Sequence, residues 1–404
     1  MTPVRLTTVF CLAQMASLTG MGAVPGLLPL FFDIWSLSSG EAGWLTGAYF
    51  IGYMTTVPLL TSITDRVDAR WVFLAAALLT VLSLLGFSIF AVGFWTAAGF
   101  QVLSGIGLAG TYMPGLKALT DRLPEENASR AVGFYTAISA TGSAFSLLMV
   151  GLLEARFGWQ MAIAMLALGP ALSFLLILLG VRPKRPELLE RHGALLDFRP
   201  VFANRRAIAY IFAYGAHAWE LFALRSWLVA FLVFSQGSQP SGTLGATWSA
   251  TAIAAFLVVL GLPASVLGNE LSGRRRRRWT VISIMGLSAA VAAIVGFSAE
   301  LPFPLLVLML VLYTCTVSGE SASVTAGAVT NAFKGQRGAT LAVHAFIGFA
   351  GASAGPVVFG WVLGWAGGPE TSSAWGFAFV SAGLAALTGA VIVWRVGPRP
   401  SDEK

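Results

Sequence analysis

Charge is what this sequence has least of. Asp, Glu, Lys and Arg make up 11% of its 404 residues, less than half the roughly 25% found in soluble globular proteins. So small a supply cannot cover a water-facing surface, and it excludes an ordinary soluble enzyme. Cysteine occurs twice, as Cys11 and Cys315, both inside apolar stretches and far apart, so there is no disulfide framework. Histidine occurs three times. His217-x-x-Glu220 could put two ligands on one helical face, but no second His/Glu cluster exists to complete a metal site, so no metal or other cofactor is expected. No Gly-x-x-x-x-Gly-Lys-Ser/Thr loop is present, which removes ATP as an energy source. The chain does not read as an enzyme.

What is present instead is apolar length. Hydrophobic residues make up 56% of the chain and the mean hydropathy is +0.78. A bilayer core about 30 Å thick takes roughly 20 apolar residues as a helix. Charge-free runs of about that length recur, and the long runs Trp71–Leu116 and Ser226–Asn269 each divide into two. The alternating pattern of barrel strands is missing, so the expected class is an all-α membrane protein. The expected spans number twelve: 6–32, 42–63, 71–92, 95–118, 131–153, 158–181, 206–234, 245–268, 279–299, 302–329, 338–363 and 373–394. The first is too long for a signal-peptide core and is read as a span.

The basic residues are one-sided. Numbering the connections from the N-terminus, all 25 Lys and Arg except Arg156 and the intramembrane Arg225 fall at one face. The positive-inside rule makes that face cytoplasmic, with both termini inside, as in a bacterial inner-membrane protein. The net charge of +7 follows from this bias and needs no nucleic acid. The run Arg274–Arg278 is expected to meet anionic inner-leaflet lipid. Residues 182–205, with Pro183, Pro186 and Pro200, form the longest hydrophilic connection and divide the chain into halves 1–181 and 206–404. An offset near 209 places Gly142 and Gly151 opposite Gly351 and Gly360, so the halves read as duplicates.

Several short elements are more specific. The connection after the second span reads Thr61-Ser62-Ile63-Thr64-Asp65-Arg66-Val67-Asp68-Ala69-Arg70, echoed after the eighth by Gly268-Asn269-Glu270-Leu271-Ser272-Gly273. The fourth span contains Gln101-Val102-Leu103-Ser104-Gly105-Ile106-Gly107; the fifth carries Gly133, Gly142 and Gly151, and the eleventh Gly351, Gly355, Pro356 and Gly360. With the six-plus-six arrangement, these resemble the major facilitator superfamily over essentially the whole chain. Departures are Thr61 and Asp68 for two glycines of the loop signature, Ser272 for the acid of its echo, Gln101 for an arginine, and Ser146-Leu147 for Gly-Pro. The resemblance implies two pseudo-symmetric six-helix bundles rocking about a midplane cavity lined by the first, fourth, seventh and tenth spans. It makes Asp65, Arg66 and Arg70 a gating loop. Read from the residues, Gly142, Gly151, Gly351 and Gly355 let helices approach closely, and Pro356 can bend its span.

A charge at the centre of a span costs about 2.5–3.5 kcal/mol on insertion scales, so each should face a cavity or a partner. The seventh span carries His217, Trp219, Glu220 and Arg225, and the tenth carries Glu320. At about 100° per residue, His217 and Glu220 project within about 60° of each other, while Glu220 and Arg225 are about 140° apart and need outside partners. Glu320 is a candidate partner for one of them, and an anionic solute for Arg225, whose planar fork suits a carboxylate or phosphate. Gln14 and Gln101 supply polar groups on the first and fourth spans. Proton-coupled uptake of an anionic or polar small solute by a monomer is the expected function. Arg225, Gln101, Gln14, His217 and Trp219 would bind the solute, and Glu220 and Glu320 would carry the proton. The alternatives are a structural ion-pair network, a proton-antiport exporter of amphipathic compounds, and a transporter-like receptor or scaffold.

Overall fold

A computed structural model describes residues 2–184, 198–240, 242–245, 247–274, 276–333 and 336–397. Part of the central connection and both ends therefore lie outside the described residues, as do Arg275, Lys334, Arg399 and Lys404. All regular structure among the described residues is helical. Each expected span falls on helix: α1 (Pro3–Ser17) with α2 (Ala23–Trp35), α3 (Ser39–Ile63), α4 (Ala69–Phe90), α5 (Phe94–Thr120), α6 (Glu125–Leu166) with α7 (Leu168–Gly180), then α9 (Arg205–Gly237) after the short α8 (Arg199–Ala203), α10 (Ala250–Arg274), α11 (Arg277–Gly296), α12 (Phe303–Gly319) with α13 (Ser321–Thr330), α14 (Arg337–Trp365) and α15 (Ser372–Val396). Among the described residues, eight helices are long and apolar enough to cross a membrane. Ile89, Trp95, Leu179 and Trp365 are 68%, 84%, 81% and 83% exposed. Side chains of this size left bare in such numbers suit contact with lipid rather than water.

The helices differ from the expected spans where polar side chains or glycines intervene. The first span is broken at residues 18–22. There the Gly22 N–H donates to Ser146 Oγ at 2.8 Å, and the Ser146 hydroxyl donates to the Thr19 carbonyl. A serine from α6 thus satisfies backbone groups that the helix has released. The expected connection between the fifth and sixth spans shrinks to a tight kink: two helices meet at Gly158, whose φ of 77° and ψ of 165° leave the helical region, a positive φ that glycine adopts at little cost. The eighth span starts later than expected because Ser249 Oγ accepts from the Ala252 N–H at 3.2 Å and caps the helix there.

By contacts the chain forms two compact units. Unit 1 contains Met1–Ser36, Ala48–Glu190 and Ser249–Val259; unit 2 contains Leu37–Gly47, Arg191–Trp248 and Leu260–Lys404. The start of α3 therefore packs in unit 2 and the start of α10 in unit 1. One core cluster of unit 1 is built on Phe10, Phe73, Tyr135 and Ile177. A corresponding cluster in unit 2 is built on Tyr210, Ile211, Val281, Met285 and Val324.

The glycine seams recur in both units. In unit 1, Gly142 of α6 lies against Met15 and Leu18, and Gly151 against Thr251. In unit 2, Gly351 and Gly355 of α14 lie against the α9 backbone at Gly215 and Trp219, and Gly360 against Ser39 and Gly43. The fifth span meets the first as the eleventh meets the seventh, at the offset read from the sequence. Pro356 lies inside α14, and its carbonyl accepts from Trp227 Nε1 at 3.0 Å.

Candidate functional site

Unit 2 gathers its ionisable groups where the tenth span breaks. α12 ends at Gly319 and α13 begins at Ser321, leaving Glu320 at the junction. Glu320 is 0% exposed, and its Oε1 lies 3.1 Å from His217 Nδ1 on α9. A bond between these two atoms requires one proton, carried by either. His217 is also held to the Val317 carbonyl, one turn before the break. Glu220, one turn after His217, is fully buried. Its Oε1 accepts from Ser288 Oγ of α11 at 2.9 Å and from the Tyr313 hydroxyl of α12 at 3.1 Å. The two carboxyls lie within Coulomb reach of one another. On each, Oε2 is buried with no hydrogen-bond partner among the described residues.

Arg225 lies within Coulomb reach of His217 and Tyr214 but makes no ion pair with this cluster among the described residues. Glu320, expected as a candidate partner for either Glu220 or Arg225, takes His217, the basic group that α9 turns toward the break. Arg225 is half-buried, its guanidinium lies 5.6 Å from the Phe222 ring centroid, and among the described residues it makes no ion pair. Trp219 has its Nε1 buried without a partner among the described residues.

Gln14 and Gln101 belong to unit 1. Both are buried, at 0% and 4% exposure. Gln14 Oε1 is 2.7 Å from the Tyr135 hydroxyl, which also lies 3.0 Å from the Thr111 carbonyl. A phenol has one proton to give. With the Gln14 amide turned over, one Nε2 N–H donates to Tyr135 and Tyr135 donates to Thr111, so the phenol both accepts and donates.

The loop after the second span is built differently from its sequence signature. Asp68, read there only as a replacement for glycine, is the acid that organises it. It caps α4 by accepting from the Arg70 N–H at 3.0 Å. It also accepts from Arg122 Nη2 at 2.8 and 2.6 Å and from the Lys184 N–H at 2.7 Å. Arg122 in turn donates to the Ala118 and Arg182 carbonyls. Arg70 is buried and donates to the Leu178 carbonyl at 2.8 Å, while Arg66 is exposed. Asp65 is half-buried in the turn that follows α3. Burial raises the Asp68 pKa, but the hydrogen bonds from Arg122, Lys184 and Arg70 and the Arg122 charge outweigh it and hold the carboxyl below its ordinary value. Its stabilisation is therefore present above the ordinary carboxylate range and lost as pH falls through the depressed value. Asp68→Ala removes cap and ion pair together and is expected to cost roughly 2–4 kcal/mol. Asp68→Asn keeps the cap and should recover part of it. Thermal unfolding at neutral and acid pH checks both, with the gap between parent and Asp68→Ala narrowing in acid.

Sequence reasoning missed Tyr313, Ser288, Asp68 and Arg122. Tyr313 lies two helical turns before Glu320, so its presence on that face was available from spacing. Asp68 directly before an apolar helix is a cap signal. Ser288, one hydroxyl in an apolar run, carried none.

A duplicated helical bundle with an apolar exterior and buried ionisable groups defines a multi-pass membrane protein with a polar interior. The sequence matches the Major Facilitator Superfamily over residues 10–356, and the chain belongs to that family. An uncharacterized MFS-type transporter of Bacillus subtilis (strain 168), YceJ, is 25% identical over 282 residues, a match spanning 65% of this chain and 66% of that relative. Among solved structures, a bacterial homolog of the human lysosomal transporter Spinster, inward-facing and unoccupied, matches with a TM-score of 0.77 at 15% identity, over 98% of this chain and 96% of that one. The POT family transporter PepTSo matches with a TM-score of 0.73 at 13% identity, over 98% and 97%. The nucleoside transporter NupG matches with 0.72 at 17% identity, over 97% and 99%. At these identities the likeness is one of fold.

Proposed function

We propose that the protein is a secondary transporter that takes up an anionic or polar small solute by alternating access, with a proton as the coupling ion. The observation that carries the solute class is Arg225, an arginine inside a span with an aromatic ring beneath it and no ion pair among the described residues. Keeping such a charge in a membrane is costly unless something polar meets it. Trp219 and the amides of Gln14 and Gln101 add hydrogen-bonding capacity without charge, and the Glu220 and Glu320 carboxyls are the proton carriers. Two full negative charges within Coulomb reach in a dry interior are unfavourable, so the pair is suited to holding a proton that it releases when its surroundings change.

In this reading the arginine-rich face is cytoplasmic, and Arg276–Arg278 rest on anionic lipid. Arg278 lies over Trp279 and Arg395 over Trp394, an arrangement suited to headgroup depth. Arg274 and Arg275 of the same run fall outside the described side chains.

A thermal-shift screen of the purified protein against carboxylates, phosphate-like anions, sugars and cationic amphiphiles tests the solute class. At about 100 times its dissociation constant a ligand adds roughly 2.7 kcal/mol to stability. A carboxylate or phosphate should raise the Tm of the parent by several degrees and leave Arg225→Ala unmoved. Stabilisation by cationic amphiphiles alone would replace this reading with proton-antiport export.

A further inference from the structure

His344 is the buried histidine that the coupling scheme leaves unused. It sits on α14 two helical turns past Arg337, where the helix begins. Its ring lies flat on that of Tyr214, with centroids 3.8 Å apart and planes 18° from parallel. On the other side, Tyr214 is 5.7 Å from the His217 ring. A Cβ at Gly348 would sit 2.3 Å from the Tyr214 ring, so the chain keeps a glycine where this aromatic column passes. His217 then meets Glu320, and Glu320 is within Coulomb reach of Glu220. One column of ionisable rings and acids thus runs from near the Arg337 end of α14 to the break in the tenth span.

The hydrogen bonding of His344 is half complete. Nε2 is 3.2 Å from Thr325 Oγ1. Nδ1 is buried and has no hydrogen-bond partner among the described residues. Leaving a buried polar atom unpaired costs about 1–3 kcal/mol, so packing alone is a poor reason for an imidazole here. The two histidines are also near enough to sense each other's charge. The titratable or charged groups around them are Tyr210, Tyr214, Glu220 and Arg225 on α9, Tyr313 on α12, and Glu320. α13 has none, those of α11 and α15 are Arg277, Arg278 and Arg395 at the helix ends, and the starts of α8, α9 and α14 add Arg199, Arg205, Arg206 and Arg337.

We infer that His344 is the station at which the proton held between His217 and Glu320 is exchanged with the arginine-rich side of the membrane. The inference rests on the proton role proposed above. A proton leaves Glu320 Oε1 or His217 Nδ1, whichever carries it, crosses by water to a His344 ring nitrogen, and passes from there to bulk water. Each imidazole returns to its neutral form.

The test needs no transported solute. In the full-length protein in detergent, infrared spectroscopy after a rapid pH jump follows the carbonyl band of the protonated carboxyls. His344→Phe, which keeps the stack on Tyr214, should slow that band at least about tenfold and leave its equilibrium titration in place. His344→Gln, which keeps a polar group for Thr325, should do the same. Imidazole in the buffer should restore the rate in His344→Ala, which a merely structural role would not produce. Parental rates in His344→Phe and His344→Gln would overturn the station alone, provided Glu320→Gln removes the band. A band unchanged in Glu320→Gln would overturn the proton role of Glu320 and this inference with it.

Discussion

Replacing Glu320 by Gln should abolish accumulation driven by a pH gradient while sparing downhill flux of the same solute. Each pH unit is about 1.4 kcal/mol, so one coupled proton sustains roughly tenfold accumulation per unit of gradient. In the variant the ratio should fall to about one. The fold should survive because the amide is nearly isosteric and can still bond His217 Nδ1, which lies 3.1 Å from the carboxyl oxygen. What it cannot do is gain or lose a proton. Glu220→Gln is the companion variant. Its amide oxygen still accepts from Ser288 and Tyr313, the two donors on Oε1 of the parent, so any loss of coupling there is also one of chemistry rather than of structure. Proteoliposomes with an imposed pH difference, loaded with whichever anion stabilises the parent in the screen, give both readouts. Parental accumulation in both variants would take the proton role away from these two carboxyls.

The large-scale features were legible because they are set by solvent. Apolar runs of bilayer length can only be helices that cross or line a membrane, and the glycines at a fixed offset could be matched without coordinates. Gly142 and Gly351 each open a seam to the first helix of their own half, which is what duplication requires. Helix interruptions were not legible, since they depend on a partner distant in sequence. Ser146 fills the break in the first span from 124 residues away. The same limit applies to the site. Which residues were ionisable could be read directly, and the 60° between His217 and Glu220 followed from helical geometry. That Glu320 would face His217 rather than Arg225 depends on where the tenth span breaks, and nothing local marks that position. Asp68 was misread for the opposite reason: comparison with a family signature cast it as a lost glycine, whereas its place one residue before α4 already described a cap.

The seam between α9 and α14 should be the least tolerant part of unit 2. A Cβ on Gly351 would stand 2.1 Å from the Gly215 carbonyl oxygen, and one on Gly355 would stand 2.3 Å from that of Trp219. Both obstacles are backbone, so no rotamer change relieves them and α9 itself must move. Gly351→Ala is therefore expected to cost about 3 kcal/mol or more, the upper end of ordinary overpacking. This comes despite the gain of up to about 1 kcal/mol that alanine brings to a helix interior. Gly133→Ala, at a position with nothing within 4 Å of the added carbon, is the matched control and should be neutral or slightly stabilising. The consequence extends to chemistry, because His217 lies between Gly215 and Trp219 on the segment that would be displaced. Lengthening its 3.1 Å contact with Glu320 by an ångström would end the bond. Gly351→Ala should thus lower the unfolding temperature and also weaken proton coupling in whatever fraction remains folded. Equal unfolding temperatures for Gly351→Ala and Gly133→Ala would mean that α9 can slide along α14, and the site could not then be held to the geometry its hydrogen bonds require.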